Sequence, residues 1–113
     1  MDGNETEVLD AVHDDYAREI LERVAQEPLS APELVAEIEA SKPTVYRRLS
    51  DLEELDLVAA RVQPDDAGHH RKEYVAAVEA LHICVEADGI SIQVDRSAED
   101  AVDRFRKLVG DLT

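Results

Sequence analysis

Two helix-start signals fall so close together in "SAPELVAEIEASKPTVYRRLSDLEELDLV" that only a short helix and a tight turn fit between them. Ser30 and Glu33 form the capping-box pattern, in which hydroxyl and carboxylate each satisfy a free amide of the first turn. Pro32 falls in that turn, where its missing N–H costs little. "EAS" is the tight turn, and Ser41 is the next N-cap, again with a proline, Pro43, just inside. The first helix is expected to reach about Ile38, burying Leu34, Val35 and Ile38. The second runs to about Leu55, with Val45, Leu49 and Leu52 on its inner face.

The flanks supply the layers these two helices need. Upstream, Val8, Val12, Tyr16, Ile20 and Val24 recur at helical spacing and Leu9, Ala17 and Leu21 widen the stripe, so residues 5–27 read as helix. Asp14 or Asp15 offers a fresh cap within it, and Pro28 ends it. Downstream the period changes: "LVAARVQ" is extended, "PDDAGHH" has loop chemistry, and "RKEYVAAV" returns as a second strand. In a further hairpin over 81–94, Leu81, Ile83 and Val85 alternate with His82, Cys84 and Glu86. Asp88-Gly89 is its expected turn, with Ile90, Ile92 and Val94 on the return strand. Ser97 and Asp100 then cap a final helix with an apolar stripe of Ala98, Ala101, Val102, Phe105, Leu108, Val109 and Leu112.

Composition bounds what this order can be. With 113 residues, 44% of them hydrophobic, the chain suits one modest core. No apolar run approaches the roughly 20 residues that span a bilayer, and no signal-peptide h-region follows Met1, so a cytoplasmic protein without membrane contact is expected. Cys84 is the only cysteine, which excludes an intramolecular disulfide and a Cys-rich zinc site. The formal net charge is -15, but it is unevenly spread. Residues 1–41 hold 12 acids and 2 bases, and residues 73–113 hold 9 and 4. Residues 42–72 hold 6 of each, so this middle segment is where a polyanion can approach. The only lysines are Lys42, Lys72 and Lys107, and this acid-rich, lysine-poor composition resembles proteins of salt-loving archaea.

The face opposite Val45 is expected to carry Thr44, Arg47, Arg48 and Asp51, flanked by Lys42 and Tyr46. Arginines on an exposed helix just past a short turn suit the major groove, where a guanidinium binds guanine O6 and N7. The ordinary alternative is a solvated face of charges paired along the helix. The hairpin adds Arg61, His69, His70, Arg71 and Lys72, cations or potential cations able to lie along a phosphate backbone or minor groove.

The "S-x-P-T-V-Y-R-x-L-x-x-L-E-x-L-x-L-V" stretch, followed by a charged hairpin, resembles the winged helix-turn-helix of ArsR-type transcriptional regulators, most of all the haloarchaeal members. The likeness covers about residues 14–78. It implies a three-helix core and a β-hairpin wing; the residues themselves add a second hairpin (79–95), which the minimal fold lacks, and a C-terminal dimerisation helix (97–112), so an α+β fold in one domain of residues 1–113 is expected. The likeness also implies a homodimer on double-stranded DNA, reading with residues 42–55 and touching the backbone or minor groove with the wing, 58–77. The family's DNA contacts carry over to Ser41, Lys42, Thr44, Tyr46, Arg47 and Arg48, and to the wing around Arg71. Glu39 and Asp56 stand where such domains often have Gly. The cysteine-rich motif of the founding arsenic sensors is missing, which excludes metal sensing of that type.

His82 and Cys84 share a strand face, the pattern either of a metal or thiol site or of ordinary packing. The stripe through Val102, Phe105, Leu108, Val109 and Leu112 points to a dimer interface shared with Val8 and Val12, or else to packing within the chain. No Ser-His-Asp set, phosphate-binding glycine loop or zinc-hydrolase signature is present, so neither an enzyme nor a cofactor is expected. Two functions compete: a sequence-specific DNA-binding regulator, and a winged-helix module that binds protein, which the -15 charge favours.

Overall fold

The structure is a computed structural model and describes residues 3–64 and 67–96. Four helices come first: α1 (Gly3–His13), α2 (Asp15–Gln26), α3 (Ala31–Glu37) and α4 (Lys42–Glu54). Two antiparallel hairpins follow, β1 (Val58–Pro64) with β2 (His70–Ala76) and β3 (Ala80–Glu86) with β4 (Gly89–Asp95). This is an α+β winged helix. The expected C-terminal helix, with Val102, Phe105, Leu108, Val109 and Leu112, lies outside the described residues. The chain divides into two compact units, with the boundary at Ala76 and Ala77.

The first unit is built on α2 and α4. The expected 5–27 helix is two helices, because Asp14 leaves the helical conformation (ψ 125°) and caps α2, its carboxylate accepting the Ala17 amide at 2.8 Å. Ala17, Ile20 and Val24 of α2 meet Val45, Leu49 and Leu52 of α4, with Leu34 and Ile38 closing the core. Tyr16, expected on the buried stripe, is instead 42% exposed, because at the start of α2 Ala17 takes the inward position, while Ile20 and Val24 are buried as expected.

Both expected caps form. Ser30 accepts the Glu33 amide at 3.3 Å while Glu33 accepts the Ser30 amide at 3.0 Å, and Ser41 accepts the Thr44 amide at 3.3 Å. Helix α4 ends where the Leu57 amide donates to the Leu52 carbonyl and the Asp56 amide to the Glu53 carbonyl, each at 3.0 Å. That pair of bonds is a Schellman closure and requires a left-handed residue, which Asp56 supplies at φ 57°. Glu39 does not need one: among the described residues Asp56 is the only non-glycine with positive φ.

Sequence reasoning missed one connection. Leu29, in the link between α2 and α3, pairs with Tyr74 of β2 through two backbone bonds of 3.1 and 2.7 Å. The start of α3 is thereby tied to the wing. The wing register sets Arg61 opposite Glu73, Gln63 opposite Arg71 and Pro64 opposite His70.

In the other unit, the register pairs Leu81 with Val94, Ile83 with Ile92 and Val85 with Ile90, giving one aliphatic face. The turn is Ala87-Asp88, one position earlier than expected, because Gly89 (φ 143°) already pairs with Glu86.

Candidate nucleic-acid interface

The surface of α4 follows from what its inner face buries. With Val45, Leu49 and Leu52 inside, the exposed positions are Lys42, Pro43, Tyr46, Arg47, Ser50 and Glu54. Arg47 pairs with no carboxylate among the described residues and stands fully on the outer face. Ser50, one turn further on, shares its exposure. It was absent from the sequence candidates, although its i+3 spacing from Arg47 was a usable signal. Beyond Ser50 the helix carries Asp51, Glu53 and Glu54, so the approachable part is its N-terminal half.

Arg48 departs from its expected place on the outer face. Its side chain is 33% exposed, with Nε 3.2 Å from Asp14 and Nη1 3.3 Å from Asp51. The Nε–H is not aimed well enough at Asp14 to count as a hydrogen bond, so that approach is ionic. With Glu7, Asp10, Asp14, Asp51 and Glu54, Arg48 lines a cavity of about 400 Å³. The reason is geometric. Position 48 follows Arg47 by one residue, and about 100° of rotation turns it from the outer face toward α2.

The helix start is self-satisfied. Ser41 Oγ and Thr44 Oγ1 lie 2.8 Å apart, Ser41 caps the Thr44 amide, and Thr44 is half-buried. Lys42 sets its ammonium 5.6 Å from the centre of the Tyr46 ring, a cation–π contact that leaves the charge outside.

The wing contributes unequally. Arg61, His69, His70, Arg71 and Lys72 are all exposed. Lys72 lies 5.4 Å from the Tyr74 ring centre. A hydrogen bond with the Tyr74 side chain, its charge interaction with that ring and then Glu53 hold the Lys72 ammonium above its ordinary 10.5, so it stays charged at any working pH. Arg71 is paired: its Nη2 meets Glu33 Oε1, and its Nε is 3.7 Å from Glu73. Between α3, Tyr46 and β2 runs an open groove of about 810 Å³ lined by Ser30, Ala31, Pro32, Glu33, Tyr46, Arg71, Lys72 and Tyr74. The Leu29–Tyr74 pairing creates it by bringing the start of α3 alongside the wing.

His82 and Cys84 do share a strand face, but His82 engages Asp95, Nε2 to Oδ2 at 2.6 Å, with the Asp95 side chain fully buried. Cys84 is a free, partly buried thiol. Among the described residues no group of three or more His, Cys, Asp or Glu side chains is arranged to hold a metal ion. Among them, too, no helix is long and apolar enough to cross a membrane.

Residues 14–60 match a family model described as bacterial regulatory protein, arsR family. The match begins at the α2 cap, runs through α3 and α4, and stops in β1. Over this stretch the chain is similar to an ArsR-family helix-turn-helix, which supports a DNA-binding regulatory role. No curated protein matches the chain.

Proposed function

We propose that this chain is a sequence-specific DNA-binding transcriptional regulator that inserts the N-terminal half of α4 into the major groove and lays the wing, residues 58–77, on the backbone or minor groove. The observation that carries this reading is Arg47. In a chain of net charge -15 it stands on the outer face of α4 unmatched by any described carboxylate, beside Lys42, Tyr46 and Ser50. Ser41 and Thr44 hold the helix start rigid, Lys42 and Lys72 offer charge to phosphates, and Arg48 positions α4 against α2. The acid excess outside residues 42–72 is a surface adapted to concentrated salt, as in a halophilic archaeon, and the protein works in the cytoplasm. A homodimer forms through the stripe from Ala98 to Leu112. Val8 is already 3% exposed, which leaves half-buried Val12 as the contribution of α1.

Mobility shift of genomic fragments in concentrated KCl tests the reading. Retardation of a subset of fragments is expected, with sedimentation as a dimer at micromolar protein. The net charge favours a second reading, a winged helix that docks on protein. Failure to retard any fragment at any KCl concentration would decide for it.

A further inference from the structure

The groove between α3 and the wing already contains an anion, the carboxylate of Glu33. We propose that this groove is a seat for a backbone phosphate of duplex DNA, with Glu33 standing in for that phosphate on Arg71 until DNA arrives. The inference rests on the DNA-binding reading above.

Glu33 Oε1 is over-subscribed. It takes the Ser30 amide at 3.0 Å and the Ser30 hydroxyl at 2.9 Å, and it also meets Arg71 Nη2. An oxygen with two lone pairs serves two donors well and three poorly. Release of Arg71 would leave the cap of α3 satisfied by Ser30 alone.

Arg71 is free to move. Its side chain is 48% exposed, and its other carboxylate neighbour, Glu73, is 3.7 Å away, beyond hydrogen-bond reach. An exposed ion pair of this kind contributes little, whereas a guanidinium matches a phosphate bidentately and releases counterions as it binds.

The rest of the lining fits a phosphodiester. Lys72 supplies a second cation and Tyr46 a hydroxyl, and no carboxylate other than Glu33 lines the groove. Tyr46 belongs to α4 and Arg71 to β2, so an anion seated here would hold the reading helix and the wing in one register on the duplex.

Glu33→Gln tests the idea without dismantling the fold, because Gln serves in a capping box as Glu does. Binding is measured by anisotropy of a labelled duplex, with thermal unfolding of each variant confirming an intact fold. The expected result is up to about five-fold tighter binding by Glu33→Gln, the scale of one exposed ion pair. In an Arg71→Ala background the same change should give no gain. Equal tightening in both backgrounds would assign the effect to general repulsion between Glu33 and DNA, and would overturn the seat. Wild-type binding that Glu33→Gln leaves unchanged would also overturn it while sparing the DNA-binding reading; no duplex binding by the wild type overturns both. Millimolar inorganic phosphate should not displace duplex from the Gln variant, and displacement would give the seat to free phosphate instead.

Discussion

One oxygen of Asp14 does two things: it accepts the Ala17 amide at 2.8 Å and lies 3.2 Å from Arg48 Nε. A single carboxylate thus starts α2 and tethers α4 to it. Arg48 pairs with Asp14 and Asp51, whereas its neighbour Arg47 faces outward.

Substitutions at Asp14 separate the two jobs. Asp14→Ala should cost about 1–2 kcal/mol, roughly 1 from the lost cap and up to about 1 from the ion pair, which solvent screens in part. Asp14→Asn keeps a good cap and loses only the charge, so it should retain about 1 kcal/mol relative to Ala. Urea unfolding of the three proteins checks this. Equal losses for Asn and Ala would mean that the cap contributes nothing.

The two adjacent arginines should behave differently. Arg47→Ala is expected to lower affinity for the operator by about 1–3 kcal/mol while leaving binding to scrambled DNA nearly unchanged, as loss of a base-edge contact does. Arg48→Ala should lower stability and weaken both DNAs alike, because α4 loses its anchor. Lys72→Ala should also weaken both, but without a change in stability. Competition binding with operator and scrambled duplexes, alongside urea unfolding, distinguishes the three patterns. Loss of discrimination on Arg48→Ala with unchanged stability would restore Arg48 as a reader.

Much of this geometry was legible in the sequence because local chemistry dictated it. Ser30 with Glu33 and Ser41 with Thr44 are contacts within one turn, and the register of the second hairpin follows from alternation alone. The errors came from contacts between segments remote in sequence. Helix rotation alone turns Arg48 away from Arg47, but which carboxylate it then meets, Asp14 of the α2 cap, is a contact between remote segments. Leu29 reads as a linker residue, and only its pairing with Tyr74 shows why Glu33 and Arg71 meet. Tyr16 and Ala17 are adjacent at the start of α2, and spacing alone does not say that Ala17 takes the inward position.

The left-handed Asp56 gives a test of backbone origin. An L residue with a branched side chain resists φ 57°, while Gly adopts it freely and Asp lies between. Asp56→Val should therefore be less stable than Asp56→Gly by about 1–2 kcal/mol in urea unfolding. The Leu57–Leu52 bond that ends α4 depends on that turn, so amide exchange at Leu57 should quicken in the Val variant. Equal stability of the two variants would show that the helix end relaxes to another closure.

The salt dependence of DNA binding should be anomalously shallow. A basic repressor that neutralises several phosphates releases counterions, and its log affinity falls by about 0.9 per phosphate contact for each log unit of salt. Few cations are available to this chain for such contacts: Lys42, Arg47, Arg61 and Lys72 stand outward, and Arg71 must first leave Glu33. Against them stand residues 1–41, with 12 acids and 2 bases, and carboxylates in the second half of α4. At low salt these acids repel the duplex. At roughly 1 M salt, where the screening length is about 3 Å, the repulsion disappears along with any long-range attraction. Cations drawn in between the protein carboxylates and the phosphates would add a salt-uptake contribution of opposite sign to counterion release. The slope of log affinity against log KCl should accordingly be well below the value for its phosphate contacts, and near zero or positive if uptake matches release. Affinity titrated across KCl concentrations measures it directly. A steep negative slope would mean that the acidic surface lies away from the duplex and only the cationic face is sensed.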